Sequence, residues 1–219
     1  MLGARSPEPL RALAGELGGE VTAVAVDVRS REGAERLVDA AIERHGRLDG
    51  AFNNAAAGHP PPGSLTEFDE AFWDDVQATN LRGVWLCLRA QIPPMAAAGG
   101  GSIVVNGSLG GLVGGFGDAA YQASKHGLTG LVRAATAEFA AQGVRVNAVA
   151  PNVTRTESVG AFMDQEPEME AGIVRQTPLG RLATPGDVAE AAAWLLSDRS
   201  AYIAGVTLPV DGGMVAVRT

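Results

Sequence analysis

The sequence predicts an α/β protein built on a doubly wound parallel sheet with helices on both faces. Three observations carry this expectation. Short valine-rich runs alternate along the whole chain with longer segments of helical periodicity, the pattern of strands buried between helical layers. Glycine is abundant, at 29 of 219 residues, which suits tight turns and close helix-on-sheet packing. There is no internal repeat and no low-complexity tail, so the alternation reads as one domain over residues 1–219.

Composition narrows the function classes. Hydrophobic residues at 46% with 19% charged describe a globular protein rather than a disordered one. A net charge of −8 and the lack of any basic run argue against nucleic acid or an anionic membrane surface as a partner. One cysteine, Cys87, excludes an internal disulfide and a cysteine-based metal cluster. It lies in Val84-Trp85-Leu86-Cys87-Leu88 and is expected to be a small buried residue; no metal site is predicted. No apolar run reaches the roughly 18 residues of a membrane span, and no signal peptide is visible. The expected setting is soluble and cytoplasmic.

Taken in order, Met1–Arg5 is short and apolar before turning polar. Ser6 is a candidate N-cap with Pro7 at the first helical position. Leu10, Leu13, Ala14 and Leu17 then recur at helical spacing up to Gly18-Gly19. Val21–Val26 reads as a buried strand closing on Asp27-Val28. Ala34–His45 is helical with Leu37, Val38, Ala41 and Ile42 inward, and Gly46 stops it. Leu48–Phe52 is a short strand leading into Asn53-Asn54, and Pro60-Pro61-Pro62-Gly63 is a loop. Thr66 is placed to cap the next helix, with Asp69 three residues on, and Pro93-Pro94 is expected to end or kink it. After Gly99-Gly100-Gly101 comes the strand Ser102–Asn106. A glycine-rich loop precedes the Tyr121 helix, which buries Leu128, Leu131, Val132, Ala135 and Phe139 and stops at Gly143. Val144–Val149 is a strand, residues 152–181 an irregular, partly helical insertion, Asp187–Leu196 a helix and Val206–Val210 a last strand.

The chemistry concentrates around Tyr121 and Lys125. Sixteen of seventeen basic side chains are arginine, and the single lysine stands four residues after one of only two tyrosines. On a helix this spacing stacks the two side chains on one face. A neighbouring ammonium favours phenolate and lowers the tyrosine pKa, making the phenol a usable general acid/base. Lysine suits this better than arginine because it is a compact point charge with three rotatable donors.

These residues also carry a resemblance. Gly101-Ser102-Ile103-Val104-Val105-Asn106-Gly107-Ser108 followed by Tyr121-Gln122-Ala123-Ser124-Lys125 resembles the active-site segment of the short-chain dehydrogenase/reductase family, whose fold is Rossmann-like. The likeness extends through Asn53-Asn54-Ala55, Thr79-Asn80-Leu81-Arg82-Gly83, Val144–Pro151 and Val210-Asp211-Gly212-Gly213, in order and over essentially the whole chain. It implies an oxidoreductase moving a hydride between a nicotinamide cofactor and an alcohol or ketone. Tyr121 would pass the proton, Lys125 would lower its pKa and hold the nicotinamide ribose, and Ser108 would bond the substrate oxygen. Asn80 would hold a water linking Lys125 to solvent; read from the residue alone, it is equally a helix-interior asparagine bonded to backbone.

For the cofactor, the resemblance assigns Asp27 and Val28 to the adenine, Asn54 and Ala55 to the strand end beneath it, and Tyr121 and Lys125 to the ribose. Pro151 is also assigned to the cofactor site, and Thr154 and Thr156 would lie along the nicotinamide carboxamide. Arg5, where an acid would bond the ribose of NAD, favours NADP over NAD. The chain departs from the family at Ala56 and Asn152, both normally glycine. Residues 152–181 would be the substrate lid, whose Phe162, Met163, Met169 and Ile173 suit an uncharged, medium-sized alcohol or ketone. A homo-oligomer, a tetramer of two-fold pairs, is also implied, with the helices starting near Phe68 and Asp118 packing across one axis.

The family's first strand, its Gly-rich phosphate loop and first helix have no counterpart here, so the domain is expected to be N-terminally truncated, with Leu2 at the second strand. That first strand would lie between the Leu2 strand and the strand before Asn53, and its loss would leave two open edges. Two accounts compete, a start placed too late or a true short variant, and the edge cost favours the former. Two rival functions remain open at this point. One is a serine hydrolase using Ser108, Asp118 and His126; the other is a non-catalytic, oligomer-forming scaffold. Without a helix N-terminus for the pyrophosphate, the chain is expected to bind nicotinamide cofactor poorly. Calorimetric titration with NADP and NAD should show affinity improving by well over tenfold, on the order of 1.4 kcal/mol, once a Gly-rich strand-turn-helix is added ahead of Met1.

Overall fold

The computed structural model describes residues 1–58, 65–67 and 69–217. Strands and helices alternate: β1 (Leu2–Ala4), α1 (Pro7–Leu17), β2 (Ala23–Ala25), α2 (Arg31–His45), β3 (Gly50–Asn53), α3 (Glu70–Gln77), α4 (Gly83–Ala97), β4 (Gly101–Asn106), α5 (Ala119–Phe139), β5 (Val144–Pro151), α6 (Glu157–Met163), α7 (Pro167–Gln176), α8 (Pro185–Leu196) and β6 (Thr207–Val210). Every pairing among the described strands is parallel. They form two sheets, β1-β2 and β3-β4-β5-β6.

The hydrophobic core explains the four-stranded sheet. On one face Ile103, Val105, Val146 and Ala148 meet Val84, Leu88, Ile92 and Met95 of α4 and Leu128, Val132 and Ala135 of α5. On the other, Val104 and Val149 meet Val188, Ala192 and Leu195 of α8. Adjacent strand residues therefore serve opposite layers, as period-two geometry requires. Ile103, Val104 and Val105 are fully buried, each contributing about 1.5–3 kcal/mol. Thr184 and Asp187 form a reciprocal capping box at the start of α8, with Pro185 in its first turn.

Several local expectations are corrected. Asp69, not Thr66, caps α3, its carboxylate accepting from Ala71 N–H at 2.6 Å. Pro93 and Pro94 do not end α4, which runs through them to Ala97. The deep burial of Ile92 and Met95 holds the last turn in place and outweighs the lost backbone bonds. Leu13 and Leu17 are exposed although the α1 spacing pointed them inward, and β2 is half-buried rather than core. Pro60-Pro61-Pro62-Gly63 and Phe68 lie outside the described residues. Residues 152–181 resolve into α6 and α7, and Cys87 is buried, its thiol pushed up to about 11 by desolvation.

Between α4 and β4 the chain passes hard against the turn before β5. Gly100 has φ 133°, and a Cβ there would stand 2.6 Å from the Gly143 carbonyl oxygen. Gly100→Ala should therefore cost about 1–3 kcal/mol, read as a lower urea midpoint at unchanged slope; an unchanged midpoint would show that this crossing tolerates a side chain.

Candidate active site

The predicted residues gather at the carboxyl ends of the strands, where ligands bind in open α/β sheets. Ser108 follows β4, where its hydroxyl accepts from Gly110 N–H at 3.1 Å at the head of a short turn. Tyr121 and Lys125 stand in the first turns of α5, whose N-cap Asp118 accepts from Tyr121 N–H at 2.9 Å. Lys125 is 3% exposed. It donates to the Asn106 carbonyl at 2.8 Å and sits 5.5 Å from the centre of the Tyr121 ring. Two glycines of positive φ enclose that ring. A Cβ on Gly117 would lie 2.8 Å from its Cδ1, and one on Gly58 3.0 Å from its Cδ2.

The electrostatics differ from the expectation that Lys125 lowers the Tyr121 pKa. Burial pushes the phenol above its ordinary range; a hydrogen bond from Ser108 pulls it partly back, and the Asp118 charge adds to the rise. The reason is geometric, since Lys125 lies over the ring face with its ammonium turned to Asn106, while the hydroxyl is in desolvating surroundings. Burial also lowers Lys125 to about 8.

Asn80 is fully buried on a π-helical turn, Ala78–Arg82, between α3 and α4. Its carboxamide clasps one backbone residue from both sides, accepting from Ala57 N–H at 2.7 Å and donating to Ala57 C=O at 2.8 Å. It also donates to Ser124 Oγ at 3.2 Å. The backbone-bonded reading is thus realised, with the segment after β3 as partner instead of its own helix; such π turns are frequent at functional sites. The hydrolase triad is not assembled. His126 is exposed, with Nδ1 2.9 Å from Gln122 O, and Asp118 serves as a helix cap.

A cavity of about 290 Å³ runs past Ala4 and Arg5, Asp27 and Val28, and Asn54 to Ala56. The Asp27 carboxylate does not stand open there, for Arg29 grips both of its oxygens at 2.7–3.1 Å, reaches Asp75 as well, and holds Asp27 below the usual carboxylate range. Arg5, on the same wall, makes no ion pair among the described residues. Thr79 Oγ1 is buried without a partner and belongs to a residue lining this cavity. Pro151 ends β5 at the same edge of the sheet. Thr154 donates to Asn152 C=O at 3.0 Å, and Thr156 caps α6.

Comparison with known proteins agrees with this geometry. Residues 2–215 match the family model described as enoyl-(acyl carrier protein) reductase. The A-factor type gamma-butyrolactone 1'-reductase (1S-forming) of Streptomyces virginiae is 46% identical over 216 residues, covering 96% of this chain and 83% of that protein. The 2-(S)-hydroxypropyl-CoM dehydrogenase 3 of Xanthobacter autotrophicus is 38% identical over 210 residues, covering 94% and 78%. The crystal structure of levodione reductase superposes with a TM-score of 0.90 at 33% identity, covering 98% of this chain and 87% of that one. The chain belongs to the short-chain dehydrogenase/reductase family.

Members of this family use a nicotinamide cofactor. The cavity walled by Arg5, Val28 and Asn54 and the separate Tyr121–Lys125 pair are the residues that would hold its two ends. Sequence reasoning missed Gly58, Gly117, Arg29 and Asn106 as members of this dehydrogenase/reductase site. Gly58 and Gly117 are legible only once the Tyr121 ring is in place, and Arg29 only once Asp75 is brought beside Asp27. Asn106 acts through its main-chain oxygen, which leaves no signature in residue type.

The buried lysine makes stability depend on pH. Below about pH 8 both folded and unfolded chains carry the proton, and the burial penalty is fully present. Between about 8 and the ordinary lysine value of 10.5 the folded chain releases it first, so stability rises with pH across that window. Relative to Lys125→Met, the native chain should gain up to about 3 kcal/mol between pH 7 and 10.5, measured by urea denaturation. A flat difference would contradict the burial of a charged group.

Proposed function

We propose that this oxidoreductase reduces a ketone on an uncharged, medium-sized substrate, with Tyr121 as the proton donor. The observation that carries the reading is the phenol held protonated by burial, beside a buried ammonium and the Ser108 hydroxyl. A proton donor must hold its proton until the carbonyl oxygen takes up charge. A reduced nicotinamide, which the Arg5, Val28 and Asn54 cavity would hold, would supply the hydride for the carbonyl carbon. The Tyr121 O–H then transfers its proton to the nascent alkoxide, leaving a phenolate. Lys125 stabilises that phenolate, and Ser108 gives the developing oxyanion a fixed hydrogen bond. Asn80 keeps the Ala57 segment in position alongside.

Arg5 supports NADP over NAD, because among the arginines on this wall Arg29 is already taken by Asp27 and Asp75. The substrate lid would be α6 and α7, which expose Phe162 and Met169. Apolar, uncharged ketones resembling the substrate named for the gamma-butyrolactone reductase are the class to try first. A homotetramer is in keeping with Trp85 and Leu81 lining a hollow beside α4 and α5; light scattering at micromolar concentration should return four chains.

Tyr121→Phe removes one oxygen and should lower kcat by about 10²–10⁴-fold with the circular dichroism spectrum unchanged. Retention of more than a few per cent of activity would sink the assignment. Lys125→Arg should fail as well, since a planar fork cannot replace a point donor. Because the phenol is raised and Lys125 titrates at about 8, ketone reduction should hold steady through neutral pH and fall above about 8, first as Lys125 loses its proton and then as the donor does.

A further inference from the structure

We propose that Gln91 is a positioning residue: its amide clasp on Asn53 fixes the strand end that aligns Asn54 and Asn106, and through Asn106 the Lys125 ammonium. This rests on the acid/base reading of Tyr121 and Lys125 given above. Gln91 lies on α4, 6% exposed. Its Nε2 donates to Asn53 Oδ1 at 2.8 Å, and its Oε1 accepts from Asn53 Nδ2 at 2.9 Å. Asn53 is the last residue of β3, paired with Val105 of β4. The next residue, Asn54, accepts at Oδ1 from Asn106 Nδ2 at 2.7 Å. The carbonyl of Asn106 then accepts from Lys125 Nζ at 2.8 Å. A continuous path of polar contacts thus joins the interior of α4 to the reacting end of α5.

The path has a physical reason. Among the described strands β3 is hydrogen-bonded only to β4, so the ladder restrains its carboxyl end from one side. Side chains restrain the rest of the segment, Gln91 at Asn53 and Asn80 at Ala57. A reciprocal amide pair also fixes orientation, because reversing either amide would set donor against donor. Asn106 Oδ1 is buried without a partner, so Asn106 gains its side-chain anchorage from Asn54 alone among the described contacts. The β5 ladder holds the Asn106 backbone on its other side, through the Asn106–Val149 pairing and Gly107 N–H to Val149 C=O at 2.8 Å, so Asn54 is what sets the side that faces β3.

The test separates positioning from mere stability. Removing one amide leaves its partner buried and unsatisfied, whereas replacing both with apolar groups is close to neutral for folding. The variants are therefore Gln91→Leu and the pair Asn53→Leu with Gln91→Leu. Because the chain has a single lysine, ¹³Cε-lysine labelling gives one resonance whose titration reports Lys125 without cofactor or turnover. The expected result is a lowered urea midpoint in Gln91→Leu and its recovery in the double variant. In both, the Lys125 titration midpoint should move upward by at least half a pH unit as water reaches the ammonium, and ketone reduction should slow at least fivefold in kcat. Gln91→Glu, which keeps the acceptor for Asn53 Nδ2, should fall between. A double variant whose Lys125 midpoint stays at the native value would overturn the proposal, whatever its activity. Absence of turnover in the native chain would instead refute the acid/base reading and leave the lysine titration as the judge of this one.

Discussion

A buried ammonium sets the terms for this protein. Lys125 is 3% exposed and bonded to the Asn106 carbonyl, and burial alone brings it down to about 8. Keeping a charge in such a place costs free energy that the surrounding packing must offset. The offset comes from the valine- and isoleucine-rich centre of β4 and β5 pressed between α4, α5 and α8. α5 contributes to that core through Leu128, Val132 and Ala135 on the same helix that carries Tyr121 and Lys125. The apolar side of α5 thereby fixes where its reactive side stands, and the functional residues inherit their precision from burial elsewhere on the same helix.

The site is then finished by contacts that involve little side-chain chemistry. Gly58 and Gly117 leave room for the Tyr121 ring where any Cβ would press on it. Gly111 does the same for the Lys125 main chain, since a Cβ there would lie 2.6 Å from the Lys125 carbonyl oxygen. Asn80 turns its whole carboxamide onto the backbone of Ala57. These are restraints on position, and their combined effect is to hold the Tyr121 ring and the buried Lys125 in fixed places relative to each other. A fixed dipole or donor is worth more where water is excluded than in bulk water.

How far the sequence disclosed this follows from the kind of interaction involved. The layered α/β architecture was legible because burial imposes periodicity, and Val144–Val149 or Leu128, Val132 and Ala135 declare it directly. Tyr121, Lys125 and Ser108 were legible because their residue types and spacing are unusual in this composition. What failed was local propensity set against tertiary packing. Pro93 and Pro94 should break a helix, yet Ile92 and Met95 beside them are locked into the core and α4 continues. Thr66 had the right side chain for a cap, but Asp69 stands where the helix in fact begins.

The direction of the Tyr121 shift was hidden for a different reason. Spacing of four residues says that two side chains share a face; it does not say which atom points at which. An extended lysine can reach past the ring to a carbonyl on the neighbouring strand, and here it does. The phenol then responds to the larger influence, its own removal from water, and is held in the protonated form. Held this way, the phenol keeps its proton in the resting protein, as the proposed general acid would need to.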